Sequence, residues 1–137
     1  MLAHWDIMHE IIKMRNEISP QTLIIGNGDV TSLDDGKEKA EKYGCDGIMV
    51  GRGVFGKPWF FNKTIKDKSP KERIKILLEH TKVFDKKLGK VKSFANMKKH
   101  FKAYISGWEG AKELRIKLME CGDVNGVERE LRVVEKD

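Results

Sequence analysis

The 137-residue sequence contains no apolar run near the roughly 18 to 20 residues that a membrane-spanning helix requires, so a helical membrane protein is not expected. Its N-terminus shows no charged segment followed by an apolar core, so no secretory signal is read and a cytoplasmic location is expected. Cysteine is scarce: Cys45 and Cys121 lie far apart and match no metal-ligand spacing, which leaves free thiols and no metal site. Prolines number three, and each falls at an element boundary. There is no internal repeat and no low-complexity stretch.

Positive charge is abundant but uneven. Residues 1–62 carry 7 Lys/Arg and 9 Asp/Glu, a net −2, whereas residues 63–137 carry 20 Lys/Arg and 12 Asp/Glu, a net +8. A basic balance confined to the second half suggests an anionic partner for that half, nucleic acid ahead of membrane. The alternative is a solvated lysine-rich surface.

Hydrophobic spacing divides the chain in the same place. Trp5, Met8, Ile11, Ile12 and Ile18 recur at helical intervals over 5–18, and Ser19-Pro20 stops that helix because the residue before proline avoids helical dihedrals. Thr22 to Ile25 reads as a short buried strand, ending at Gly26-Asn27-Gly28. Ser32, with Asp35 three residues on, starts a helix running to Tyr43, and Gly44 ends it. Gly47 to Val50 reads as a second buried strand, ending at Gly51-Arg52-Gly53. This order is the grammar of a parallel sheet. Two strands cannot close a core of their own, so 1–62 reads as the end of a larger barrel or sheet, the alternative being strands borrowed from a partner.

From Pro58 onward only helices are expected. Pro58 suits a first helical position ahead of Trp59, Phe60 and Phe61. Ser69-Pro70 starts a helix with Ile74, Leu77, Leu78, Thr81, Phe84 and Leu88 on one face, and Gly89 ends it. Further helices are expected over 93–105 (Phe94, Met97, Phe101, Tyr104), 110–120, and 124–135 (Val124, Val127, Leu131, Val134). Together they make a small bundle.

Both strands end in glycine-rich turns, and ligands bind at the carboxyl ends of strands in such folds. Asn27, Gly28 and Asp29 offer backbone N–H groups and short polar side chains. Gly51 and Arg52 precede a short helix expected near Val54, an arrangement that suits an anion. Tight structural turns are the alternative at each.

These blocks carry a resemblance. Ile25-Gly26-Asn27-Gly28-Asp29-Val30 resembles the NGD turn of tRNA-dihydrouridine synthases. Asp46 to Gly53 is similar to that family's DGxMxGRG segment, and Gly56-Lys57-Pro58-Trp59-Phe60-Phe61 to its GNPWxF run, with Lys57 where the family usually has asparagine. The resemblance spans nearly the whole chain. It implies the last two βα units of a TIM barrel (1–62) followed by a small helical tRNA-binding domain (63–137), hence α/β plus all-α. It implies FMN held at its ribityl-phosphate end by Asn27, Gly28, Asp29, Gly51 and Arg52, and NADPH as reductant. It implies reduction of a uridine C5–C6 double bond in tRNA, protonated by a cysteine in the first half of the barrel. Neither Cys45 nor Cys121 matches that position, nor do His4, His9, His80 and His100 match any catalytic position, so no catalytic residue is assigned in this chain.

The segment Asn96 to Phe101 is similar to the family's RKH segment. This implies Lys98, Lys99 and His100 as RNA contacts. Lys102 shares the broad helical side of Lys98 and Lys99, away from Phe94, Met97 and Phe101. A solvated lysine face, and for His100 internal packing, are the alternatives. Neither a DNA nor a membrane partner is expected, and oligomeric state is not legible. Two further readings compete with a flavoenzyme piece: a non-catalytic basic RNA-binding helical module, and another phosphate-binding barrel enzyme.

Overall fold

The computed structural model of the chain describes residues 3–65 and 67–134, the side chains at 133 and 134 excepted. The described residues form two compact units, residues 3–54 with 58–65, and residues 55–57 with 67–134.

In the first unit a single 3₁₀ turn, Trp5–Ile7, leads into α1, Met8–Ile18. Arg15 near the end of α1 donates from Nη1 to the Thr22 carbonyl at 2.6 Å and to Asp46 at 2.8 Å. The same Asp46 oxygen accepts the Ile24 N–H at 2.8 Å. The Ile24 N–H, followed by Arg15, holds the Asp46 carboxyl below its ordinary range. This clamp fixes the connection into β1, Ile25–Asn27. A helix, α2, Leu33–Tyr43, then returns the chain to β2, Gly47–Met49. Ser32 caps α2 by accepting the Asp35 N–H, and Gly44 ends it with φ 73°.

β1 and β2 pair in parallel, with Gly26 opposite Ile48 and Asn27 opposite Met49. Partners in register share a face. The Gly26/Ile48 face is covered: a Cβ on Gly26 meets the Trp5 ring at 2.6 Å, and Gly36 brings α2 against Ile48. The other face is open, leaving Ile25 49% and Met49 56% exposed. The sequence reads both strands as buried and begins the first at Thr22. Instead β1 begins at Ile25, and each strand is covered on one side, whereas full burial of a parallel strand needs cover on both. The apolar residues of α1 are likewise exposed at Ile11, Met14 and Ile18.

The expected helix after Pro58 is absent from the described residues; 58–64 forms turns, with Asn62 Oδ1 accepting the Thr64 N–H at 3.0 Å and the Thr64 hydroxyl at 2.7 Å. An asparagine that satisfies the following backbone through its side chain offers an alternative to helix.

The second unit contains α3, Pro70–Leu88, α4, Ala95–Tyr104, α5, Ala111–Glu120, and α6, Val124–Val134. A full capping box opens α3: the Ser69 side chain accepts the Glu72 N–H, and Glu72 accepts the Ser69 N–H. The core joins Ile74, Leu77 and Phe84 of α3 to Met97, Phe101 and Tyr104 of α4, Leu114 and Leu118 of α5, and Val127 and Leu131 of α6. Burying each such side chain stabilises the fold by about 1.5–3 kcal/mol before entropy is counted. Thr81 sits inside this core because its hydroxyl donates to the Leu77 carbonyl at 2.8 Å. Leu88, expected on the buried face, is 41% exposed in the last turn of α3. Val134 lies among the side chains outside the description. Among the described residues no helix is long and apolar enough to cross a membrane.

Candidate functional site

The turns after β1 and β2 open on one cleft of about 900 Å³, lined by Asn27, Gly28, Asp29, Gly51 and Arg52 together with Ala3, His4, Val30, Thr31 and Gly53. Pairing of neighbouring parallel strands places the two turns side by side. All five residues that the glycine turns single out therefore meet. Asp29 adopts φ 47°, a left-handed conformation that few residues other than glycine tolerate. Its carboxylate accepts the Ala3 N–H at 2.7 Å and Arg52 Nη2 at 3.1 Å. Arg52 is 84% exposed, so Asp29 orients the guanidinium while leaving donors turned to solvent.

The glycines of the cleft differ in what demands them. A Cβ on Gly53 meets the Val30 carbonyl oxygen at 2.3 Å, and Gly28 has φ 135° with Ala3 2.4 Å from any added Cβ. Both are required by the fold. Gly51 is not: an added Cβ meets nothing within 4 Å. The space beside Gly51 is open cleft, where a ligand could approach the backbone closely. The turn after β2 continues as a 3₁₀ segment of three residues, Arg52–Val54. That is too short to present a helix dipole of any size. An anion placed there would meet the guanidinium and the backbone N–H groups of the turn rather than a helix dipole.

Two contacts that hold the turn after β1 escape sequence reasoning. The Ala3 N–H holds Asp29, and Trp5 Nε1 donates to the Gly28 carbonyl at 3.0 Å while its ring lies 5.5 Å from Tyr43. Trp5 is legible as an apolar helical position, but the partner of its ring N–H, 23 residues away, has no local signal.

On α4, Lys98, Lys99 and Lys102 share one side, as helical spacing requires. They differ in engagement. Lys98 Nζ donates to the Met119 carbonyl of α5 at 2.6 Å, whereas Lys99 and Lys102 are exposed. His100 is not with them. It lies on the other flank of the buried stripe, 5.2 Å from the His80 ring and edge-on to Phe55 at 5.6 Å. His80 Nδ1 bonds the Tyr104 hydroxyl at 3.1 Å. Burial, and after it the neighbouring His100, pushes His80 below its ordinary pKa, and burial pushes the Tyr104 hydroxyl up. The thiols of Cys45 and Cys121 are both raised, first by burial, which makes them poor nucleophiles.

Comparison with known proteins gives one family. The family model described as dihydrouridine synthase matches residues 2–136. A "Probable tRNA-dihydrouridine synthase" of Staphylococcus aureus (strain N315) is 41% identical over 123 residues, covering 89% of this chain and 38% of that protein. The one of Staphylococcus epidermidis (strain ATCC 12228 / FDA PCI 1200) is 42% identical over the same length. A "Probable tRNA-dihydrouridine synthase 2" of Bacillus subtilis (strain 168) is 38% identical over 126 residues, covering 91% of this chain and 39% of that protein. The chain thus spans about two fifths of the length of these curated relatives.

Proposed function

Since the chain belongs to the dihydrouridine synthase family, we propose that it supplies two parts of a tRNA-dihydrouridine synthase. Residues 1–62 are the last two βα units of a TIM barrel and carry the phosphate end of an FMN site. Residues 63–137 are a helical tRNA-binding domain. The parent enzyme reduces uridine to dihydrouridine in tRNA. FMN held there would supply the hydride chemistry for that reduction, with NADPH as the reductant.

In this reading Arg52 and the turn N–H groups bind the phosphate, the open space at Gly51 admits it, and Asn27 and Asp29 face the ribityl hydroxyls. The supporting observation is that both glycine turns open on one cleft, where Asp29 holds Arg52 at 3.1 Å. Lys99 and Lys102 meet tRNA phosphates, with Lys98 beside them, while His100, on the other flank of α4, packs against His80 and is left out of this face. The general acid and the surface around the flavin ring belong to residues other than these.

The test is a fusion of this chain behind the N-terminal part of the Bacillus subtilis relative. The chimera is expected to purify with flavin and to reduce tRNA uridines with NADPH. A folded chimera that never holds flavin overturns the cofactor assignment.

The excess of Lys and Arg over residues 63–137 favours a second reading, a non-catalytic RNA-binding module. That reading expects salt-sensitive tRNA binding with no flavin in any context.

A further inference from the structure

A groove of about 630 Å³ runs between α4 and α5. Its floor is apolar: Phe101 lies buried beneath it, while Ile116 and Met119, three residues apart on α5, are 54% and 51% exposed. Its rims are cationic, with Lys98 and Lys102 on α4 and Lys112 and Arg115 on α5, against the single acid Glu120. Two of these cations are committed to backbone: Lys98 to the Met119 carbonyl and Arg115 to the Ile105 carbonyl at 2.7 Å. Lys102 and Lys112 make no ion pair or hydrogen bond among the described residues, so one unengaged cation stands on each rim.

We propose that this groove is a nucleotide subsite, in which one unstacked RNA base rests on Ile116 and Met119 while its flanking phosphates meet Lys102 and Lys112. The proposal rests on the tRNA reading above and deepens it. A lysine face alone needs no apolar floor. A continuous A-form duplex turns phosphates and 2′-hydroxyls outward, and its bases do not reach a recessed floor. A base turned out of the stack has an apolar face and two adjacent phosphates, which matches the groove's chemistry. An acidic amphipathic protein helix matches the rims as well. The +8 charge of residues 63–137 favours the polyanion, because it attracts a phosphate backbone well beyond the groove itself.

The experiment uses the full chain with three probes: a tRNA transcript, a perfect RNA duplex of equal length, and an acidic amphipathic peptide. Ile116→Ser/Met119→Ser changes only half-exposed positions, and circular dichroism checks its fold. We expect tRNA to bind more tightly than the duplex. The double variant should lose about tenfold in tRNA affinity with an unchanged salt slope. Lys112→Ala should reduce the magnitude of the log–log salt slope by about 0.7. Cross-linking of 4-thiouridine-substituted tRNA to the α5 peptide provides a readout independent of the variants' folding.

If tRNA binds but the double variant matches the parent chain and α5 does not cross-link, recognition is by phosphate alone. The subsite is then overturned while the tRNA reading stands. Absence of tRNA binding at low salt overturns both. Saturable binding of the acidic peptide in place of tRNA makes the groove a protein-docking site and overturns the nucleotide assignment.

Discussion

Lys98, on α4, donates from Nζ to the backbone carbonyl of Met119 at 2.6 Å, in the last turn of α5. The Met119 carbonyl lies in the last turn, beyond the reach of the intrahelical ladder, and a cation there also meets the negative end of the helix dipole. Arg115 on α5 returns the arrangement by donating to the carbonyl of Ile105, just past the end of α4. Each helix thus caps the other's C-terminal end, and a lysine that reads in sequence as part of an RNA face also serves the fold.

Lys98→Met is therefore expected to lower stability by about 0.5–1 kcal/mol. Lys99→Met and Lys102→Met should leave the urea midpoint within experimental error and weaken tRNA binding instead. Urea titrations of the three variants, paired with tRNA titrations, check this. Equal stability of all three would contradict the capping role of Lys98.

The cleft glycines make a paired prediction. Gly53→Ala drives a Cβ to 2.3 Å from the Val30 carbonyl oxygen, a backbone atom that cannot swing away, so stability should fall by about 1–3 kcal/mol. Gly51→Ala meets no atom of the chain within 4 Å and should leave stability unchanged. In a flavin-binding chimera the Gly51 variant should nonetheless bind FMN about tenfold more weakly, as the methyl occupies space read as the ligand's. Thermal melts and flavin titrations separate the two effects.

The capping box of α3 responds to acid. A hydrogen bond from Lys68, followed by the Ser69 N–H, lowers the Glu72 carboxyl from 4.5 to about 2. The folded-state pKa lies below the unfolded one, so the unfolded chain binds the proton more readily. The contribution of Glu72 is complete above about pH 4.5 and is lost as pH falls toward 2. Glu72→Gln keeps an acceptor for the Ser69 N–H but cannot titrate. The stability difference between the parent chain and this variant should be flat above pH 4.5 and shrink below it, as urea midpoints across that range will test.

His80 acts in a higher window. Its folded-state pKa is below 6.5, first because burial disfavours the charge and then because His100 is near. The unfolded chain again takes the proton more readily, so stability falls as pH drops below 6.5. His80→Gln removes that titration, and its urea midpoint should change less between pH 7 and pH 5 than the parent's, as paired titrations will show. An identical slope in both would place the responsible group elsewhere.

Much of the helical unit was legible before its structure. Ser69-Pro70 marks the start of α3, as Ser32 with Asp35 marks that of α2 in the first unit, because a cap and a proline at the first helical position act locally; the reciprocal bond from Glu72 is seen only in the structure. Met97, Phe101 and Tyr104 mark a buried stripe because helical periodicity is local too. Pro58 was misleading for the same reason: its fixed φ suits a helix start, but Asn62 satisfies the following backbone through its own side chain, and turns result. The strands read too long and too buried, since apolar runs report what a segment can bury and not what lies over it.

Local sequence pattern was enough to place the starts of α2 and α3, the buried faces of α3, α4 and α6, the clustering of glycine and polar residues after the two strands, and the concentration of positive charge beyond residue 62. These depend on neighbours within a few residues or on simple sums. Tertiary structure alone decided that Asp29 meets Arg52 across 23 residues, that Trp5 bonds the Gly28 carbonyl, that Lys98 is spent on Met119, and that His100 faces His80 rather than the lysines. Each of those pairings depends on which elements lie side by side, and no local pattern of residues encodes that.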